Sequence, residues 1–141
     1  MSDLGFRVLG RVHGRLYRLT GGKVGGWIAG MPVLLLTTSG RKSGRMRTQP
    51  LTYAPTDGGY AVIASKGGAP QHPLWYLNLR ASPLAEVRVG RETHTVRARD
   101  AEGEERERLW RGLADVYPGY DRYASKAGRH IPVVVLEPTE S

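Results

Sequence analysis

Strand-length apolar runs joined by short glycine-bearing turns restrict this chain more than any other feature. Pro32-Val-Leu-Leu-Leu-Thr-Thr38 is apolar enough for a buried strand. The polar turn Ser39-Gly-Arg-Lys-Ser-Gly44 follows, and Arg45 to Ala54 reads as the second strand of a hairpin. Asp57-Gly58-Gly59 is a turn signal ahead of a third strand, Tyr60 to Ser65. Leu84 to Val89 and Thr93 to Arg99 alternate apolar and polar around Gly90-Arg91-Glu92, a second hairpin, and Ile131 to Leu136 is the last strand. Helical patterns cover Leu4 to Leu19, Pro73 to Ala81, and a segment capped by Asp100 that runs to about Tyr117. Strands and helices do not alternate as βαβ units, which argues against a doubly wound nucleotide fold. The pattern predicts a mainly β protein with peripheral α-helices, built on a six-stranded antiparallel barrel that is closed or half-closed.

Charge locates the first functional clue. Residues 1–53 hold nine Lys/Arg against one acid, whereas the rest of the chain holds twelve of each. An anion is the expected partner of that first third. Part of the positive charge lies on Leu4 to Leu19, where Arg7, Arg11, Arg15 and Arg18 form a stripe beside an apolar one. That stripe is either a solvated face or a contact with an anionic membrane surface. The glycine-rich stretch Thr20 to Met31 reads as a linker, so residues 1–29 are read as an amphipathic helix with its linker and residues 30–141 as the barrel domain. Cysteine is absent, which removes disulfides, thiolate nucleophiles and iron–sulfur ligation. The four histidines are scattered without a close ligand pair, and no metal is expected. The N-terminus lacks the apolar core of a secretory signal, so a cytoplasmic location is expected, with membrane association through the first helix left open.

Four segments carry candidate chemistry. Gly40-Arg41-Lys42-Ser43-Gly44-Arg45-Met46-Arg47 sets four cations and a hydroxyl among glycines, a composition that can grip a phosphate or carboxylate. It does not match the P-loop pattern. Ala64-Ser65-Lys66-Gly67-Gly68 lies at a strand end, and its two glycines allow backbone to pass beneath a ring system. Trp75 and Asn78 stand one helical turn apart, an indole and an amide suited to a polar heteroaromatic ligand. Tyr117, Tyr120 and Tyr123 recur at steps of three around Pro118-Gly119, which suggests a mobile segment able to close over a flat substrate.

In order, LTTSGRKSGRMR, ASKGG, HPLWYLNL, YPGY and IPVVVLEP resemble the deazaflavin-dependent nitroreductase family, over about residues 30–138. The resemblance implies a split β-barrel of the FMN-binding kind that binds coenzyme F420. It implies that Arg41, Lys42, Ser43 and Arg47 hold the cofactor's phosphate and acidic glutamyl tail. Ser65, Lys66, Gly67 and Gly68 would lie against the deazaflavin ring, with Trp75 and Asn78 nearby. Ser65, Tyr117, Tyr120 and Tyr123 would border the acceptor pocket as the catalytic group. Met46 stands where many relatives carry proline.

The expected activity is therefore hydride transfer from reduced F420 to a flat organic acceptor: a quinone, a nitroaromatic or an enone. Ser65 and Tyr120 are assigned the hydrogen bonds to the acceptor oxygen on which negative charge grows. A split-barrel reductase using flavin mononucleotide is one alternative, since it too needs a phosphate site. A non-enzymatic basic nucleic-acid-binding module is another, although the basic region lacks interleaved stacking aromatics and nucleic acid is not the expected partner.

Overall fold

The computed structural model describes residues 27–28 and 31–139. The predicted helix at Leu4–Leu19, the proposed boundary at residues 29/30 and most of the Thr20–Met31 linker lie outside that range. Within the linker, Trp27–Ile28 (β1) forms a short strand paired antiparallel with Met31 and Pro32. The remaining strands are β2 (Met31–Ser39), β3 (Met46–Thr52), β4 (Ala54–Thr56), β5 (Gly59–Ile63), β6 (Leu84–Val89), β7 (Glu92–Asp100) and β8 (Val133–Pro138). The helices are α1 (Leu74–Ala81), α2 (Gly103–Val116) and α3 (Gly119–Ala127). Among the described residues, no helix is long and apolar enough to cross a membrane.

The sheet runs from β2 through β6, β7, β8 and β5 to β4, with β3 on β2. β3 and β4 thus lie at opposite ends of the sheet, yet Tyr53 alone separates them in sequence. A sheet whose two ends are one residue apart must curl, so the chain itself closes the barrel where the ladder does not. The strand expected over Arg45 to Ala54 bends at Tyr53 into β3 and β4, the second running on to Thr56; the Tyr53 N–H turns to the Pro32 carbonyl at 3.1 Å. Counting that bent strand once and setting β1 aside, the six predicted strands are all present.

Alternation sorts the core into two. Leu34, Leu36, Val62, Val87, Val134 and Leu136 point into the barrel, where Trp75, Tyr76 and Leu79 of α1 plug one end. Ala61, Ile63, Val133 and Val135 point outward beneath α2 and α3. β8 is buried on both faces, which explains its uninterrupted Val-Val-Val-Leu run.

One helix start differs from expectation. Asp100 does not cap α2: it ends β7 opposite Val134 and accepts a hydrogen bond from the Tyr76 hydroxyl at 2.7 Å. The Ala101 N–H still bonds β8, at the Val133 carbonyl, so helix begins only after Glu102, with Glu104 and Glu105 in its first turn. Pro118-Gly119 separates α2 from α3, and the segment expected to be mobile is a helix ended by left-handed Gly128.

Candidate active site

The β2–β3 hairpin turns over Gly40–Arg45. The Gly40 N–H donates to the Arg45 carbonyl and the Gly44 N–H to the Gly40 carbonyl, each at 2.8 Å. Gly44 sits at φ +74°, and a Cβ on Gly40 would lie 2.9 Å from Ser43 Oγ and 3.1 Å from the Arg45 carbonyl oxygen. The left-handed backbone at Gly44 favours glycine, and Gly40 leaves little room for a side chain. Buried Asn78 of α1 fixes the hairpin from behind: its Oδ1 accepts from the Arg41 N–H and its Nδ2 donates to Thr38 Oγ1, each at 3.0 Å. The side-chain amide, expected beside the cofactor, holds the cationic turn in place.

Between hairpin and α1 lies a groove of about 580 Å³, lined by Arg41, Lys42, Ser43, Arg47, Trp75 and Asn78. That size suits a cofactor. Thr38, Thr48, Gln49 and Pro50 also line it, and of these only Thr38 falls within a motif singled out in the sequence. Thr48 stands opposite Thr37 in the ladder, their hydroxyls 2.7 Å apart. Among the described residues, no carboxylate lines the groove. Arg41, Lys42, Arg45 and Arg47 are exposed, and none of the ion pairs among the described residues involves them. A set of exposed cations that no described carboxylate pairs, with backbone N–H groups and hydroxyls, fits a ligand carrying phosphate and carboxylates. The donor set therefore fits an acidic, phosphate-bearing cofactor.

The other predicted residues gather at a second cluster. Past β5, Ser65 is buried, and Lys66, Gly67 and Gly68 all take positive φ, at 46°, 64° and 82°. A Cβ on Gly68 would meet Tyr123 Cα at 3.1 Å, so the loop and α3 approach as closely as glycine permits. Gly119 does the same for Tyr117, whose ring would lie 2.5 Å from a Cβ there. The three tyrosine rings pack with centroids 5.2 to 6.2 Å apart. The Tyr117 and Tyr123 hydroxyls are 2.8 Å apart, and the Tyr120 hydroxyl is 2.6 Å from Thr52 Oγ1. Burial raises the Tyr120 pKa against an opposing hydrogen bond from Thr52. The hydrogen bond with Tyr117, followed by burial, pushes Tyr123 up to about 12. Both stay neutral phenols at physiological pH, able to donate toward a developing oxyanion. Thr52 and Arg129 belong to this cluster and went unflagged in the sequence: Arg129 bonds the carbonyls of Ala64, Ser65 and Ala69.

A family model described as F420H(2)-dependent quinone reductase matches residues 9–138. This chain belongs to that family. The match begins upstream of residue 30, where the motif resemblance began. As a member of the F420H(2)-dependent quinone reductases, the protein is an oxidoreductase that uses reduced F420 as its hydride donor. Of the three acceptor classes expected from the sequence, the quinone is the one the family's description names. An F420H(2)-dependent quinone reductase of Mycobacterium tuberculosis strain H37Rv is 42% identical over 130 residues, covering 89% of this chain and 87% of that protein. A solved F420-H2 dependent reductase superposes with a TM-score of 0.69 at 45% identity, covering 75% of this chain and 94% of that one. A second solved chain, described as a domain-swapped dimer, has a TM-score of 0.71 at 41% identity and covers 89% of this chain and 96% of its own. The mainly β, split-barrel architecture expected from the sequence is the one these structures share with this chain.

Proposed function

We propose that the quinone reductase holds F420 in the groove between the β2–β3 hairpin and α1 and reduces a quinone seated beside Ser65 and the three tyrosines. One observation carries this reading: six residues expected to bind the cofactor line a single groove that contains no acid among the described residues. Arg41, Lys42 and Arg47 hold the phosphate and glutamyl carboxylates, with Ser43 adding a hydroxyl. Trp75 forms an apolar wall, and Lys66, Gly67 and Gly68 support the ring at the loop. When bound, the reduced deazaflavin supplies a hydride. Ser65 and Tyr120 donate hydrogen bonds to the quinone oxygen, Tyr120 sharing its hydroxyl with Thr52. Tyr117 and Tyr123 wall the acceptor side and keep water out.

The test mixes purified full-length protein with reduced F420 and a soluble naphthoquinone and follows cofactor oxidation. Quinone-dependent oxidation is expected, with flavin mononucleotide unable to replace F420. Tight F420 binding without oxidation by any quinone would overturn the assignment. The proposal also places the enzyme in the cytoplasm, with the Leu4–Leu19 arginine stripe touching an anionic membrane surface. Salt-sensitive flotation with anionic liposomes, lost on removing residues 1–29, is the expected outcome.

A further inference from the structure

The loop that carries Ser65 and Lys66 is held by a side chain outside every motif named above. Arg129 follows Gly128, the left-handed residue that ends α3. Its Nε donates to the Ala69 carbonyl at 3.0 Å, and its Nη2 to the carbonyls of Ser65 at 3.1 Å and Ala64 at 3.2 Å. Its Nη1 lies 2.9 Å from His72 Nδ1, with a longer contact to the His130 carbonyl at 3.4 Å. The three carbonyls of Ala64, Ser65 and Ala69 bracket the consecutive left-handed residues Lys66, Gly67 and Gly68. Within the loop, the Gly68 N–H bonds the Ser65 carbonyl at 2.9 Å and the Ala69 N–H bonds the Lys66 carbonyl at 3.2 Å.

Left-handed backbone at a residue with a Cβ, as at Lys66, persists only where its surroundings over-determine it. The planar, five-donor guanidinium does this from one point, which a lysine ammonium cannot reproduce. It also joins the loop to the end of the tyrosine helix, so the two sides of the proposed acceptor site are set by one group.

We propose that Arg129 is a positioning residue for hydride transfer, holding Ser65 and Lys66 against the tyrosine helix, with His72 as the acceptor that orients its guanidinium. This rests on the functional reading above. His72 can accept only while Nδ1 is unprotonated. Four groups act on the imidazole besides the ring of Tyr76: Arg129, Arg80, Asp100 and His130. Burial first, then the charges of Arg129 and Arg80, lower its pKa, with Asp100 opposing. A lowered pKa keeps the ring neutral at physiological pH. The contact is then lost as pH falls through a value on the acid side of the ordinary histidine range.

The experiment uses full-length protein with Arg129→Lys and His72→Asn, the asparagine keeping an acceptor near Nδ1. In Arg129→Lys without cofactor, amide exchange at Gly68 and Ala69 is expected to accelerate about tenfold or more while the core strands stay protected. Single-turnover hydride transfer is expected to fall about 10- to 100-fold. F420 affinity, set at the hairpin, changes less than about threefold, under 1 kcal/mol. His72→Asn is expected to keep the wild-type rate at pH 7.5 and to lose the acid limb of the wild-type pH–rate profile. Wild-type exchange and rate in Arg129→Lys would overturn the proposal, as would an unchanged acid limb in His72→Asn. The histidine variant decides alone if the lysine variant fails to fold. A wild-type enzyme that transfers no hydride sinks the functional reading instead, and the exchange measurement then judges the clamp.

Discussion

The two halves of the site are built on opposite principles. The hairpin groove presents exposed cations that no carboxylate among the described residues neutralises, on a turn fixed by Gly40, Gly44 and Asn78. The Ser65–tyrosine cluster is largely buried, and each tyrosine hydroxyl already has a protein partner. In the proposed reading, unpaired charge on a fixed turn supplies affinity for an acidic ligand. In the same proposal, a packed set of hydroxyl donors supplies geometry for a charge that appears only as the reaction proceeds. Binding and turnover are therefore separable, and substitutions on the two sides fail differently.

The largest effect is expected at the groove. Arg41→Ala combined with Arg47→Ala removes the two charge-assisted contacts proposed for the cofactor, each worth about 1.5–3 kcal/mol when fully formed. Their exposure discounts this to a loss of about 100-fold in F420 affinity by fluorescence titration, shrinking at high salt, with thermal stability unchanged. At the other cluster, Tyr120→Phe removes the partner of Thr52 Oγ1 and with it the donor proposed for the quinone. Turnover is expected to fall about tenfold with F420 affinity unchanged, measured by steady-state kinetics beside titration. An equal loss of affinity in that variant would erase the distinction between the two regions.

Backbone substitutions sharpen it further. Gly68→Ala places a Cβ 3.1 Å from Tyr123 Cα at φ +82°, whereas Gly67→Ala at φ +64° meets open space. Both carry a left-handed penalty of about 1 kcal/mol, and Gly68→Ala adds about 1–3 kcal/mol of overpacking in chemical denaturation. The smallest effect is alkaline. Tyr123 is pushed up to about 12 against an unfolded value near 10. A pKa raised on folding gives stability that is complete below pH 10 and lost between about 10 and 12. Tyr123→Phe is expected to flatten that part of the stability–pH curve, and an unchanged curve would detach Tyr123 from the pair.

The hairpins were legible because strand alternation and turn chemistry are local: Gly40–Arg45 and Gly90–Arg91 announce their turns within a few residues. The cationic side of the groove was legible for the same reason, since Arg41, Lys42 and Arg45 share one turn and Arg47 follows two residues later. What escaped depends on distant partners. Asp100 looks like a helix cap until Tyr76, 24 residues earlier, takes its carboxylate. The bend at Tyr53 follows from pairing at both ends of the sheet, to β2 and to β5. Tyr120 meets Thr52 across 68 positions, and Arg129 meets the loop across 60 to 65, so neither pairing leaves a local signal.

The most direct test compares F420 with a deazaflavin fragment that keeps the ring and sugar chain but lacks the phosphate and glutamyl tail, titrated across salt concentrations. The account predicts that F420 binds far more tightly at low salt, that its affinity falls steadily as salt rises, and that the fragment binds weakly with little salt dependence. Equal, salt-insensitive affinity for the two would contradict it, because the cations of the hairpin would then anchor nothing.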